Sequence, residues 1–183
     1  CFGDGGAIFT NNDELAAKMR AIVNHGMVVR YYHDTVGVNS RLDSIQAAIL
    51  DAKLPHLNEY ITARQAAAAY YDKAFANHPH ILPPVRSERS THVFHQYTLR
   101  LIDVDRNALR NALAEAGIPA MIYYPVPLHM QKAYQDPRYK VGDFPVAERL
   151  AACVLSLPMH TELDEEQLAY ITEHVLKSLN AQH

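Results

Sequence analysis

Two cysteines among 183 residues, at positions 1 and 153, are too few and too far apart for a disulfide framework or a metal-binding spacing. No apolar run approaches the roughly 20 residues that span a bilayer, and no basic segment followed by an apolar one has the form of a signal peptide. Neither sign of charge dominates. The 17 Lys and Arg against 20 Asp and Glu leave a formal net charge of -3, with the signs interspersed, which argues against a general nucleic-acid surface. Internal repeats and low-complexity tracts are missing, and so are a Gly-Lys-Ser/Thr phosphate loop and a serine in a nucleophile-elbow context. The first residue is not Met, and the chain opens inside what reads as a turn. What remains is an α/β protein, expected in the cytoplasm, whose 49% hydrophobic content is enough to build a core.

The pattern along the chain divides it. Ala7-Ile8-Phe9 reads as a short strand, and Asn11, Asn12 and Asp13 supply cap chemistry for a helix with Leu15, Met19, Ile22 and Val23 on its apolar face. Gly26 is placed to end that helix. Residues 27 to 40 have no period and hold Arg30-Tyr31-Tyr32-His33, the content of a functional loop. From Asp43, residues Ile45, Ala48, Ile49 and Ala52 predict a helix, and Leu57, Ile61, Ala68, Tyr71 and Phe75 continue it past Pro55, which should kink or split it. Asn77-His78-Pro79 and Pro83-Pro84 mark the expected domain boundary, giving 1–76 and 77–183.

In the second part, Phe94 to Ile102 predicts a strand with His95, Tyr97, Leu99 and Leu101 on one face. Asp105 caps a helix carrying Leu109, Ala112, Leu113 and Ala116, closed by Gly117. Ile118 to Tyr124 reads as a second strand and Leu155-Ser156-Leu157-Pro158 as a third. Asp164 and Gln167 have capping-box spacing ahead of a last helix with Leu168, Ile171, Val175 and Leu179.

Three constellations can carry chemistry. The Gly3-Asp4-Gly5-Gly6 turn can bring backbone N–H groups close to a phosphate, or serve backbone geometry alone. Asn39 and Arg41 set an amide and a fork-shaped cation just ahead of a helix, a pair suited to phosphate or carboxylate, or else to a cap and a surface ion pair. Tyr123-Tyr124-Pro125-Val126-Pro127-Leu128-His129 joins two phenols and an imidazole on a stiff segment, for recognition or for strand-end packing. Among the eleven histidines, His92 with His95 and His78 with His80 are the nearest pairs, and no Cys or acidic partner completes a metal set, so no metal is expected. Lys18, Lys53 and the other lysines read as solvated surface.

Gly37-Val38-Asn39-Ser40-Arg41-Leu42-Asp43 and the following helix, read with Cys1 to Thr10, Tyr123 to His129 and Leu155 to His160, resemble the DegT-like family of pyridoxal-phosphate sugar aminotransferases over almost the whole chain. The resemblance implies a fragment of the fold-type I aminotransferase: residues 1–76 would end the large cofactor domain, and 77–183 would be the small C-terminal domain. It implies pyridoxal phosphate as cofactor, held by a Schiff-base lysine a few residues before the position of Cys1, so that these 183 residues alone would be inactive. It implies a homodimer with shared active sites, in which Asn39 reaches the cofactor phosphate of the neighbouring subunit. Arg41, Tyr124 and His129 would face the substrate; Tyr123 stands where the family commonly has His. The implied reaction moves an amino group, usually from glutamate, to a nucleotide-linked ketosugar in surface-polysaccharide precursor synthesis. The branch most resembled acts on UDP-2-acetamido-3-keto sugars, especially the hexuluronic acid. Two other readings stay open: a non-catalytic binding or sensor domain of the same fold, and a lysine-lacking sugar dehydratase of the family.

Overall fold

The computed structural model describes residues 3–182 and divides the chain into two compact units, Cys1–Leu57 and Asn58–His183. The division falls about twenty residues before the Asn77 turn, where the sequence suggested the domain change. The helix in between gives Ala67, Ala68 and Tyr71 to the core of the second unit, and Phe75 follows directly after it.

In the first unit, α1 (Asp13–Val23) begins where the Asn12 side chain accepts from the Leu15 N–H at 2.9 Å. It ends through two left-handed residues, His25 (φ 62°) and Gly26 (φ 78°), and the Gly26 N–H returns to the Ala21 carbonyl at 2.7 Å. Gly26 is required for a second reason: a Cβ there would lie 1.8 Å from the Thr35 carbonyl oxygen. The segment read as an aperiodic loop holds a small antiparallel pair, β1 (Met27–Val29) and β2 (Tyr32–His33). Ala7-Ile8-Phe9 is not a strand. A strand exists only as part of a hydrogen-bonded ladder, and among the described residues none lies beside it. The Cys1-Phe2 part of the Gly-rich stretch lies outside the described residues. α2 (Ser44–Lys53) runs as expected, though its apolar side stays open, with Ile45 77% exposed.

Pro55 does split the helical region, through a 3-10 turn at Leu54–His56, before α3 (Leu57–Ala74). In the second unit a three-stranded antiparallel sheet has the order β3 (Ile81–Leu82), β4 (Tyr97–Leu101), β5 (Val154–Leu157), with β4 in the middle. Tyr97, Leu99 and Leu101 form the buried side of β4, as their alternation indicates. Against them pack α3, α4 (Arg106–Glu115) and α6 (Glu165–Asn180), whose Leu109, Leu113, Ile171 and Val175 belong to the same core. The Asp105 cap and the Asp164–Gln167 capping box are both formed.

Three features depart from the sequence pattern. Phe94 has φ 50°, and so it precedes the strand and is buried instead of facing outward with Thr98. Ile118 to Tyr124 is not a strand: it pairs with β5 only at Met121 and Ser156, through two hydrogen bonds of 2.9 and 2.7 Å. Pro119 and Pro125 have no N–H to extend that ladder. A helix that the periodicity left unassigned, α5 (Pro145–Cys153), starts with Pro at its first position, where the missing donor costs nothing.

Arg64 of α3 ties the sheet's ends together. Its Nη1 donates to the carbonyls of Phe94 and Met159, both at 3.1 Å, and reaches that of His95 at 3.4 Å. Replacing Arg64→Met keeps the apolar stem and strands these carbonyls. Denaturant unfolding should show a loss of about 1–3 kcal/mol.

Candidate functional site

Each unit presents one group of candidate residues. In the first, Asn39 is held by its surroundings and not by its own side chain. The Val38 N–H donates to Ile22 at 2.8 Å, the His25 N–H to Val38 at 3.0 Å, and the Ser40 N–H to Val23 at 3.0 Å; Asn24 and Asn39 form a bridge between them. Gly37 allows this close approach, since a Cβ at that position would stand 2.1 Å from the Gly26 nitrogen. Sequence reasoning gave Gly37 no such role, because the contact is between two backbones eleven residues apart.

On this rigid strip the Asn39 Oδ1 accepts from the Arg41 Nε at 3.1 Å. Asp43, at the N-cap of α2, makes no side-chain cap bond. The pairing engages the Asn39 amide oxygen and leaves its NH2 group as a donor. Both side chains are exposed. The donors left over, the amide NH2 and the rest of the guanidinium, fit an anion: a phosphate ester for the amide, a carboxylate or phosphate for the fork.

In the second unit, Tyr123 and Tyr124 meet edge to face at 5.8 Å between ring centres. They line a groove of about 520 Å³ with Pro127, Leu128, Gln131 and Leu150, and Tyr124 is 73% exposed. His129 is not among the residues lining that groove. Its side chain is 8% exposed, its Nε2 lies 3.0 Å from Glu148 Oε1, and its ring packs 4.8 Å from that of Phe144. The structure therefore brings together Tyr123 and Tyr124, and it turns His129 toward α5.

Glu148 is the anchor of the irregular segment 131–144. Its carboxylate accepts from the Gly142 N–H at 2.8 and 3.0 Å and from the Phe144 N–H at 3.4 Å, besides His129. The Gly142 N–H is the main reason its carboxyl sits below the usual range, with His129 and Phe144 adding and partial desolvation opposing. A carboxylate depressed in the folded state stabilises that state above its ordinary pKa, and the contribution is lost as pH falls through the folded value. Exchange protection of the Gly142 and Phe144 amides, corrected for intrinsic rates, should accordingly decline in the parent protein as pH falls below the ordinary glutamate range. Glu148→Ala should lack that protection at every pH, with the β4 amides unchanged.

The histidine pairs have other duties. His92 Nδ1 accepts from the Phe94 N–H at 2.9 Å, and His80 Nδ1 lies 3.0 Å from the Ile102 carbonyl. Among the described residues no group of three or more His, Cys, Asp or Glu side chains could hold a metal ion, and no helix is long and apolar enough to cross a membrane. Lys18, Lys53, Lys73, Lys132, Lys140 and Lys177 are all exposed.

The candidate residues thus fall into an exposed Asn–Arg pair on a backbone-held loop and a tyrosine-lined groove on a small α/β unit. The chain belongs to the DegT/DnrJ/EryC1/StrS aminotransferase family, whose model matches residues 1–176. It is 46% identical over 176 residues to a pleiotropic regulatory protein of Geobacillus stearothermophilus, which covers 95% of this chain and 47% of that protein. It is 44% identical over 171 residues to the UDP-2-acetamido-2-deoxy-3-oxo-D-glucuronate aminotransferase of Pseudomonas aeruginosa, covering 93% and 46%. The crystal structure of S. venezuelae DesV superimposes with a TM-score of 0.91 at 40% identity, over 97% of this chain and 47% of that one. The chain thus spans about half the length of the relatives it matches.

Proposed function

We propose that the protein containing this chain is a pyridoxal-phosphate aminotransferase that moves an amino group, from glutamate, to a UDP-linked 2-acetamido-3-keto hexuluronic acid. The Asn39–Arg41 pair carries this reading: an amide NH2 and a guanidinium set side by side suit two anions, the cofactor phosphate and the sugar carboxylate. The acidic sugar named for the 44%-identical Pseudomonas relative supports the second of these.

When bound, pyridoxal phosphate supplies an electron sink next to the migrating nitrogen. Around it, the Asn39 amide would hold the cofactor phosphate, that of the neighbouring subunit in a homodimer. Arg41 holds the carboxylate in a two-pronged grip, and its bond to Asn39 fixes the plane of the fork. Tyr123 and Tyr124 wall the sugar-nucleotide groove and exclude water from one side of it. His129, through Glu148, positions the 131–144 segment beside that groove. A Schiff-base lysine works from a desolvated or charge-coupled setting. The six lysines here are exposed, so we assign that role to the part of the enzyme outside these 183 residues.

The 46%-identical regulatory relative favours a second reading, in which the fold binds a nucleotide sugar and does no chemistry. Amino transfer by the whole protein separates the two. Arg41→Ala should lower kcat/KM for the acidic ketosugar by the equivalent of about 2–5 kcal/mol, as for truncated buried charge pairs. Arg41→Lys should be nearly as harmful, because an ammonium cannot reproduce the fork. A neutral ketosugar should lose little from either change. Equal losses on both substrates would assign Arg41 to the nucleotide phosphates or to the fold.

A further inference from the structure

The end of the second unit's sheet holds a cleft that the proposed reaction has not used. Its volume is about 190 Å³, and His95, Gln96, Met121, Tyr123, Ser156 and Met159 line it. That is less than the roughly 300–1,000 Å³ of pockets that take a whole small-molecule ligand. At ~30 Å³ per water, it has room for about six waters, or one ring of a larger molecule.

Three observations identify the ring. Among the described residues, neither the His95 imidazole nor the Gln96 carboxamide has a side-chain hydrogen-bond partner, although both line the cleft. A carboxamide and a neutral imidazole each offer a donor and an acceptor, the complement of hydroxyl and acetamido groups. No Lys, Arg, Asp or Glu lines the space, so nothing there matches a phosphate or a carboxylate. Tyr123 belongs both to this cleft and to the 520 Å³ groove, which makes the two spaces adjacent and suits a ligand with a small polar part and a larger flat part.

The cleft is also built rigidly. Its back is the paired Met121 and Ser156 backbones, and the Ser156 hydroxyl is joined to that of Thr98 at 2.8 Å. Arg64 fixes the carbonyls of His95 on one rim and Met159 on the other, and the Tyr71 hydroxyl donates to Pro158 at 3.0 Å. Side chains that are free to bond, mounted on backbone that is not free to move, are the arrangement of a recognition site.

We propose that this cleft is the subsite for the neutral, acetamido-bearing face of the sugar ring, recognised by Gln96 and His95, with the nucleotide in the neighbouring groove across Tyr123. The inference rests on the nucleotide-sugar reading above. It is tested by calorimetric titration of the enzyme containing this chain with UDP-N-acetylglucosamine and, separately, with UDP. Gln96→Ala, Gln96→Met and His95→Ala should each weaken UDP-N-acetylglucosamine roughly tenfold, while the affinity for UDP changes less than about twofold. Gln96→Met keeps the side-chain volume and removes only the polar groups, so a folding defect is separated from a lost contact. Equal losses for the two ligands, or none, would overturn the subsite and leave the function standing. A parent enzyme that binds no UDP-sugar and transfers no amino group to one would overturn both.

Discussion

A single guanidinium determines where the ends of the small unit's sheet go. Arg64 points from α3 to the turn before β4 and the turn after β5, two segments far apart in sequence whose carbonyls have no strand partner of their own. Without a donor those carbonyls would need water in a place where Phe94 is already buried. The same helix continues the pattern about two turns further on. Tyr71 donates to the Pro158 carbonyl, and Asp72 accepts from the Tyr97 hydroxyl at 2.7 Å and pairs with Arg86. Burial pushes the phenols of Tyr71 and Tyr97 above their usual range, and the Asp72 carboxylate pushes Tyr97 further. Both shifts favour the protonated phenol, the form that donates these hydrogen bonds. The α3 side chains thus serve as the frame of the candidate site, although none of them is a candidate ligand.

That frame was only half legible in the sequence. The apolar stripe of α3, the Asp105 cap, the Asp164–Gln167 box and the inward face of β4 all rest on local spacing, and local spacing is what a sequence displays. Phe94 was misplaced because a left-handed residue breaks the alternation that would have put it outside. The Ile118–Tyr124 segment has the composition of a strand, yet Pro119 within it and Pro125 after it lack the donors that a ladder needs, and one residue pair is all that forms. Ala7-Ile8-Phe9 has strand composition and no neighbour among the described residues. Composition sets the readiness to pair; a partner decides the outcome.

Of the candidate site, the residue types were legible and their engagement was not. Asn39 and Arg41 stand two apart in an extended stretch, and that spacing alone allowed a cap and a surface ion pair equally well. In the structure the two bond each other, Arg41 Nε to Asn39 Oδ1, and the N-cap position of α2 falls to Asp43. His129 shows the opposite case. A histidine after Pro-Leu reads as a ligand-facing group, but Glu148, nineteen residues later on a helix the periodicity left unassigned, takes its Nε2. Gln96 carried no signal at all, since an amide in a strand-forming run is ordinary until its neighbours leave it unpaired.

The two groups of residues are immobilised by different physics, and this bears on what each can recognise. Around Asn39 the constraint is backbone on backbone: Gly37 and Gly26 approach so closely that neither admits a Cβ, and three N–H groups close the gap. A loop held that way is stiff whatever side chains it carries, which suits an invariant target such as a phosphate. Around Tyr123 and Gln96 the constraint comes from side chains reaching backbone, Arg64 and Tyr71 to carbonyls and Glu148 to N–H groups. The side chains of Tyr123 and Gln96 themselves carry none of that burden. Tyr123 and Gln96 can therefore be exchanged without removing any of the bonds that hold the frame.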